Sequence, residues 1–137
     1  MFILGFDFGM RYVGVAVGET LTFNTSPLFS ILINKLDIKY FDIFSILNFW
    51  KPKFIIIGYP MSECYDNSQL LDKIDLFAFK IRCFYNGHVI FIDENLSSWK
   101  ARRILNFKKN KDFFTINALS ATILIEQWFF DNGFLNV

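Results

Sequence analysis

The feature that most constrains the fold is a short, wholly apolar run in the middle of the chain, Phe54-Ile55-Ile56-Ile57, which ends at Gly58-Tyr59-Pro60. A run of this kind is typical of a strand that is buried on both faces of a sheet, because it lacks the polar alternation of a half-exposed strand. Parallel strands covered by helices have this pattern. The run therefore predicts a central strand, parallel to the first strand of the chain, in an α/β fold.

Four other segments have the composition of strands. Residues 2–8 and 12–17 predict two adjacent strands joined by a tight turn, and residues 27–33 supply a third strand. These three segments form an antiparallel meander. A further β-rich run covers residues 88–92, so we expect a mixed five-stranded sheet.

Helices are predicted between and after these strands. Apolar residues recur at helical spacing in 37–50, where Pro52 stops the helix, and most clearly in 67–85. Two more helices follow the last strand, one capped by Ser97 or Ser98 and one over 115–131. The resulting architecture is an α/β sheet flanked by helices.

Size and composition restrict the class of protein. A chain of 137 residues is expected to form one domain over 1–137. Apolar residues make up 53% of the chain, but its longest stretch without Asp, Glu, Lys or Arg, between Glu19 and Lys35, contains several polar residues. This pattern predicts a soluble protein without a membrane partner. The first residues lack the pattern of a signal peptide, so we expect a cytoplasmic protein.

Two further site classes are disfavoured. Cys64 and Cys83 have neither CxxC spacing nor a nearby histidine, so we expect reduced thiols rather than a zinc site or a disulfide. His88 lies at the start of a strand, and we interpret it as a structural or surface histidine. The net charge is only +1, so any attraction for nucleic acid must come from local clustering.

Acidic residues end two of the predicted strands. Asp7 lies between Phe6 and Phe8, and the pair Asp93-Glu94 follows the strand at 88–92. A buried acid is costly unless it is paired or bound to a cation. One interpretation is that Asp7 caps the turn into the second strand. The other is that both positions belong to one metal site.

The metal-site interpretation follows from strand direction. If the two strands are parallel, their carboxyl ends open at the same edge of the sheet, where α/β proteins usually place their sites. Carboxylates converging there would repel each other unless a hard cation such as Mg²⁺ lay between them. Two such ions about 4 Å apart can polarise a phosphodiester and activate an attacking water. The chemistry that suits this arrangement is metal-assisted phosphodiester hydrolysis.

A basic segment follows these acids. It contains no acidic residue and, with Ser97 or Ser98 as a helix cap, could position a phosphate backbone. Arg11, just after Asp7-Phe8-Gly9, could reach the same strand. The alternative interpretation is a solvated helix face with a basic connector. The basic residues of the segment are Lys100, Arg102, Arg103, Lys108, Lys109 and Lys111.

Taken together, several short motifs resemble the YqgF family, whose members are described as Holliday-junction resolvases and as pre-16S rRNA nucleases. Each motif is weak alone, but their order and spacing over nearly the whole chain are specific. The motifs are Gly5-Phe6-Asp7-Phe8-Gly9 followed by Gly14-Val15-Ala16-Val17-Gly18, Trp50-Lys51-Pro52 before Ile55-Ile56-Ile57-Gly58-Tyr59-Pro60, Asp93-Glu94-Asn95-Leu96-Ser97-Ser98, and Asn117-Ala118-Leu119-Ser120-Ala121.

This resemblance implies an RNase H-like fold and a nuclease dependent on Mg²⁺ or Mn²⁺. It also implies that RNA is the substrate, with a role in trimming the 5′ end of the 16S rRNA precursor, alone or within a pre-ribosomal particle. Asp7 and Glu94 occupy positions where the family has metal-binding acids. Asn117 occupies the position of the third acid of the site.

The chain departs from the family pattern at three places. Asn117 replaces an aspartate, and its amide carbonyl can bind a metal but adds no negative charge. Residues 61–66 lack the Asn, Asp and Gly usual in a substrate-side loop, and Asn95 replaces an expected Arg. Two alternatives to an rRNA nuclease therefore stay open: a catalytically weak RNA-binding factor in ribosome assembly, and a Holliday-junction resolvase acting on DNA.

Overall fold

The computed structural model describes residues 1–8, 12–32, 40–59, 68–93 and 113–133. Within these ranges the chain forms five strands and three helices. In chain order they are β1 (Phe2–Phe8), β2 (Tyr12–Glu19), β3 (Thr25–Leu32), α1 (Tyr40–Trp50), β4 (Phe54–Tyr59), α2 (Ser68–Phe84), β5 (His88–Asp93) and α3 (Phe113–Asp131).

The strands form one mixed sheet in the order β3-β2-β1-β4-β5. β1 pairs antiparallel with β2, and β2 with β3, whereas β1, β4 and β5 run parallel to one another. The predicted meander and the predicted mixed five-stranded sheet are both confirmed. β4 is interior and parallel to β1, which explains why its three isoleucines are fully buried.

One face of the sheet is covered by α1 and α2. The aromatic ring of Phe77 from α2 packs edge-on against Phe6 and Phe8 of β1, with ring centroids 5.1 and 4.8 Å apart. Offset and edge-on aromatic pairs add to the free energy gained from burial. The α1 and α2 residues buried on this face are Ile43, Ile46, Leu47, Ile74, Phe77, Ala78 and Ile81.

The opposite face is covered by α3. Its buried residues Ala121, Leu124, Ile125 and Phe129 form a second core cluster with Ile3, Ala16 and Ile56 of the sheet. Because successive side chains of a strand point to opposite faces, each interior strand contributes to both clusters. The sheet is therefore sandwiched between two helical layers, as expected for an α/β protein.

Most element boundaries agree with the sequence patterns. α1 ends at Trp50, followed by Lys51 with a φ of 45° and then by Pro52. α3 begins at Phe113, two residues before the predicted start, and ends at Asp131, with Gly133 at a φ of 77° in the left-handed region that favours glycine. The helix predicted after Ser97 or Ser98 lies outside the described residues.

Two phenylalanines on α2 test the described core directly. Phe77 is fully buried, whereas Phe79 is 65% exposed on the same helix. We expect Phe77→Ala to lower the free energy of unfolding by about 3–5 kcal/mol, because it removes the ring that packs on β1 and leaves a cavity. Phe79→Ala is the matched control and should change it by less than about 0.5 kcal/mol. Urea denaturation measures both, and equal losses would contradict the described packing.

Candidate active site

Asp7 lies on the α3 side of the sheet. Alternation along β1 points Leu4, Phe6 and Phe8 into the core beneath α1 and α2, and leaves Asp7 on the other face with Ile3. The side chain is half-buried at the carboxyl end of the strand. The two phenylalanines beside it in sequence therefore do not surround the carboxylate, because they point to the opposite layer.

Asp7 has glycine as its neighbour on both adjacent strands. It pairs directly with Gly14 of β2. On the other side, β1 and β4 pair in parallel up to Phe6 and Ile57, and the next positions in that register are Asp7 and Gly58. The cross-strand row continues to Ser30 of β3, which is 6% exposed and pairs with Gly14. The carboxylate thus stands in a row of small residues.

The acid at the end of β5 faces the other way. Asp93 pairs with Tyr59 of β4 and has the same side-chain parity as Val89 and Phe91, which pack against the α1–α2 core. Asp93 is therefore on the face opposite to Asp7, although both lie at the carboxyl edge of the parallel strands. Of the pair Asp93-Glu94, Asp93 is excluded as a direct partner of Asp7. Glu94 lies outside the described residues.

Helix α3 is seated closely on the sheet. A Cβ atom at Gly5 would lie 2.8 Å from Cγ1 of Ile125 and 3.0 Å from the carbonyl oxygen of Ala121, and one at Gly18 would lie 2.7 Å from Cγ2 of Ile125. The absence of a side chain at Gly5 allows the helix backbone to approach β1, and its absence at Gly18 leaves room for the side chains of Ile125 and Phe129 against β2. The Thr25 hydroxyl of β3 also donates a hydrogen bond of 2.9 Å to Glu126 of α3.

This seating sets the position of Asn117 relative to Asp7. Ala121 lies over Gly5, and Asn117 is four residues before Ala121, a rise of about 6 Å along the helix. Asp7 is two residues beyond Gly5 on β1, about 6.7 Å along the strand. α3 runs antiparallel to β1, because Phe129, later in the helix, lies near Gly18, which pairs with Ile3 close to the start of β1. The step from Ala121 back to Asn117 therefore has the same direction as the step from Gly5 forward to Asp7. The backbone of Asn117 is therefore at about the level of Asp7.

Comparison with known proteins identifies the family. A family model described as "RuvX: Holliday junction resolvase" matches residues 1–131. The chain belongs to the RuvX family. RuvX and YqgF denote the same family, so the resemblance drawn from the motifs is confirmed.

Curated relatives extend over nearly the whole chain. A protein of Buchnera aphidicola subsp. Schizaphis graminum is 33% identical, covering 96% of this chain and 98% of the relative. One from Buchnera aphidicola subsp. Cinara cedri is 35% identical, covering 93% and 96%, and one from Nitrosococcus oceani is 30% identical, covering 92% and 84%. Each carries the name "Putative pre-16S rRNA nuclease". The RuvX chain therefore belongs to a nuclease family, as predicted.

Solved structures support the fold. T. thermophilus RuvC in complex with a Holliday junction substrate superposes with a TM-score of 0.59 at 14% identity, covering 98% of this chain and 97% of that one. The fowlpox virus Holliday junction resolvase gives a TM-score of 0.60 at 11% identity, covering 96% and 99%. These neighbours share the RNase H-like fold, and the predicted fold class is confirmed.

Several predicted site residues of this RuvX chain lie outside the described residues, and their roles stay predictions. Asn117 belongs to α3, but only its backbone is among the described parts of the structure. Among the described residues, no group of three or more His, Cys, Asp or Glu side chains could hold a metal ion. The undescribed site residues are Glu94, Arg11, Ser97, Ser98, Lys100, Arg102, Arg103, Lys108, Lys109 and Lys111.

Other features of the described residues lie away from Asp7. His88 stacks on Phe54, with ring centroids 5.9 Å apart, at the end of β4 and β5 opposite to the candidate site. A cleft of about 450 Å³ lies between β3 and α1, which is on the other side of the sheet from Asp7. None of the helices in the described ranges has the length and apolarity needed to span a bilayer.

Residues that support the site had only weak sequence signals. Ser30 lies within a predicted strand, but the sequence did not indicate that it shares a cross-strand row with Asp7 through Gly14. Gly5 and Gly18 were part of the family motifs, but their contact with α3 required the position of that helix. The repeated spacing of small residues in β1 and β2 was the one available signal of a closely packed helix.

The contact between Gly5 and α3 can be tested by substitution. We expect Gly5→Ala to lower the free energy of unfolding by about 1–3 kcal/mol, because its Cβ would collide with a backbone carbonyl that moves only if α3 moves. Chemical denaturation of the purified variant measures this change. A variant as stable as the wild type would show that α3 is not seated on Gly5.

Proposed function

We propose that this RuvX chain is a divalent-metal-dependent nuclease that processes the 5′ end of pre-16S rRNA in the cytoplasm. Asp7 and Glu94 would bind Mg²⁺ or Mn²⁺, and Asn117 would act as a third, uncharged ligand. The observation that carries this proposal is the position of Asp7, on the α3 face at the carboxyl edge of the parallel strands, level with the backbone of Asn117. This edge is where open α/β sheets usually bind ligands.

The donor atoms suit a hard cation. Mg²⁺ prefers carboxylate, carbonyl and water oxygens, and the candidate residues supply the carboxylate of Asp7, that of Glu94 and the amide carbonyl of Asn117. When bound, such ions polarise the phosphodiester and lower the pKa of the attacking water. The half-buried Asp7 has its backbone held in the sheet, since β1 pairs with β2 through Phe8 and with β4 through Phe6.

RNA is the proposed substrate because the curated relatives bear the name of a pre-16S rRNA nuclease. The basic segment after β5 would neutralise the phosphate backbone, with Arg11 beside the same strand. These contacts position a nucleic acid without reading its sequence. The residues proposed to bind it are Arg11, Ser97, Ser98, Lys100, Arg102, Arg103, Lys108, Lys109 and Lys111.

Asn117 favours a second candidate function. A site with one carboxylate fewer binds its metal more weakly and stabilises less of the charge that develops during hydrolysis. The chain could therefore serve as an RNA-binding ribosome-assembly factor with little turnover. The family description and the resolvase neighbours favour a third candidate, cleavage of DNA junctions. Competition between single-stranded RNA, duplex and four-way-junction substrates at matched salt distinguishes these candidates.

The metal ligands are tested by paired substitutions. We expect Asp7→Asn to reduce cleavage of labelled RNA in Mg²⁺ or Mn²⁺ at least about 100-fold, because it removes a charged ligand. Asn117→Asp should raise cleavage about tenfold, since it adds a carboxylate to the site. Asp72→Asn, on the exposed side of α2, is the control and should leave the rate unchanged.

The results separate the candidates. Cleavage by the wild type that Asp7→Asn abolishes supports the nuclease. If the wild type cleaves no RNA and Asn117→Asp restores cleavage, the nuclease candidate is replaced by the RNA-binding ribosome-assembly factor.

The basic segment is tested by the salt dependence of binding. For single strands, each phosphate contact contributes about 0.7 to the slope of log K against log salt. We expect the combined change of Lys108, Lys109 and Lys111 to Gln to reduce that slope by about 2. The matched triple change of Lys51, Lys53 and Lys73, which lie away from Asp7, should leave it unchanged. Fluorescence anisotropy with labelled RNA measures both, and equal slopes would contradict a role of the basic segment.

A further inference from the structure

We propose that Ser120 of α3 is a further positioning residue of the candidate site, whose hydroxyl oxygen accepts a hydrogen bond from a water coordinated to the metal ion at Asp7. Ser120 belongs to the motif over 117–121, but it is not among the residues assigned above to the metal or to nucleic acid. This inference rests on the proposed function. It adds a neutral acceptor to the carboxylates of Asp7 and Glu94 and the amide of Asn117.

Ser120 lies on the side of α3 that faces β4. Residues four apart share one side of a helix, so Ser120, Leu124 and Trp128 form one row. The ring of Trp128 packs on Phe54, the first residue of β4, with ring centroids 5.5 Å apart. Leu124 belongs to the same buried cluster as Ile56, the next β4 residue on that face of the sheet. The row therefore follows β4 from its first residue toward its carboxyl end.

The same row sets the level of Ser120 along the sheet. Ser120 is eight residues before Trp128, about 12 Å along the helix axis. Gly58 is four residues after Phe54, about 13 Å along β4. Ser120 therefore lies over Gly58, which occupies the position beside Asp7 in the register of β1 and β4. The Cα–Cβ bond of a helical residue is tilted toward the helix N-terminus, which here means toward the carboxyl edge of the sheet.

The hydroxyl of Ser120 is buried at this position. Ser120 is 7% exposed, and among the described residues its hydroxyl takes part in no hydrogen bond. Thr122, two residues later and 3% exposed, shows the alternative, because its hydroxyl donates to the carbonyl oxygen of Leu119 within the helix. Burial of a hydroxyl without a hydrogen bond costs free energy. A group that enters the site beside Asp7 and bonds to Ser120 would remove that cost.

A serine hydroxyl suits the water of a hard cation. Mg²⁺ usually keeps several waters among its oxygen ligands, and the ion lowers the pKa of such a water, which makes the water a strong hydrogen-bond donor. The hydroxyl oxygen has two lone pairs that can accept this bond, and it brings no charge. Loss of a group that holds a metal ligand in place typically weakens metal affinity or activity by about 10–100-fold. Ser120 would therefore orient one coordinated water on the β4 side of Asp7.

The experiment measures Mn²⁺ binding as well as cleavage of labelled RNA. The full chain and the variants Ser120→Ala, Thr122→Val and Asp7→Asn are titrated with Mn²⁺ by electron paramagnetic resonance, and their unfolding midpoints are determined in metal-free buffer. We expect Ser120→Ala to bind Mn²⁺ about tenfold more weakly, with an unchanged or higher midpoint because it removes a buried polar group. Thr122→Val, whose wild-type hydroxyl bonds within the helix, is the matched control and should keep the affinity. Asp7→Asn should abolish binding.

Each other outcome overturns the inference in a recognisable way. If the wild type binds Mn²⁺ through Asp7 and Ser120→Ala binds it equally well, the role of Ser120 is wrong and the proposed function stands. If Ser120→Ala lowers the unfolding midpoint, or if Thr122→Val weakens Mn²⁺ binding as much, the hydroxyl serves the packing of α3. If the wild type binds no Mn²⁺, or if Asp7→Asn binds it as well as the wild type does, the proposed metal site itself fails, and this inference fails with it.

Discussion

The close contact between helix α3 and the sheet is the interaction on which the candidate site depends. A Cβ at Gly5 would lie 2.8 Å from Cγ1 of Ile125 and 3.0 Å from the carbonyl oxygen of Ala121, so any side chain at this position would force the helix or Ile125 to shift. This contact fixes how far α3 extends along β1. It is the reason why the turn that contains Asn117 reaches the level of Asp7, and a change in this contact would move one side of the site relative to the other.

The alternation of side chains along β1 explains how an acid can stand between two phenylalanines in sequence without the free-energy cost of burial among them. Phe6 and Phe8 enter the core beneath α2, where their rings contact Phe77, while Asp7 points to the other layer and remains half-buried. The aromatic packing of Phe6 and Phe8 and the candidate chemistry of Asp7 therefore use opposite faces of the same strand. Asp93 illustrates the same rule, because its parity places it on the face away from Asp7.

Much of the fold could be predicted because its signals are local. The consecutive isoleucines of β4 indicate an interior strand covered on both faces. Pro52 and Gly133 mark the ends of helices, because proline cannot continue a helix and glycine readily adopts a positive φ. The packing of α3 could not be predicted from the sequence, since its apolar residues do not single out one face of the helix. The role of Gly5 in this packing depends on its contact with Ile125, which is distant in sequence. The candidate site was predicted at Asp7, but the residues beside it in the sheet, Gly14, Gly58 and Ser30, were not. Their proximity follows from the register of strands that are distant in sequence.

The account requires a metal ion at the carboxyl edge of β1. Anomalous diffraction from crystals soaked in Mn²⁺ tests this requirement most directly. The account predicts an anomalous peak in direct contact with the Asp7 carboxylate, on the α3 side of the sheet, with Glu94 as a second protein ligand. A well-ordered Asp7 without a peak, or a peak bound by Asp93 on the opposite face, would contradict it.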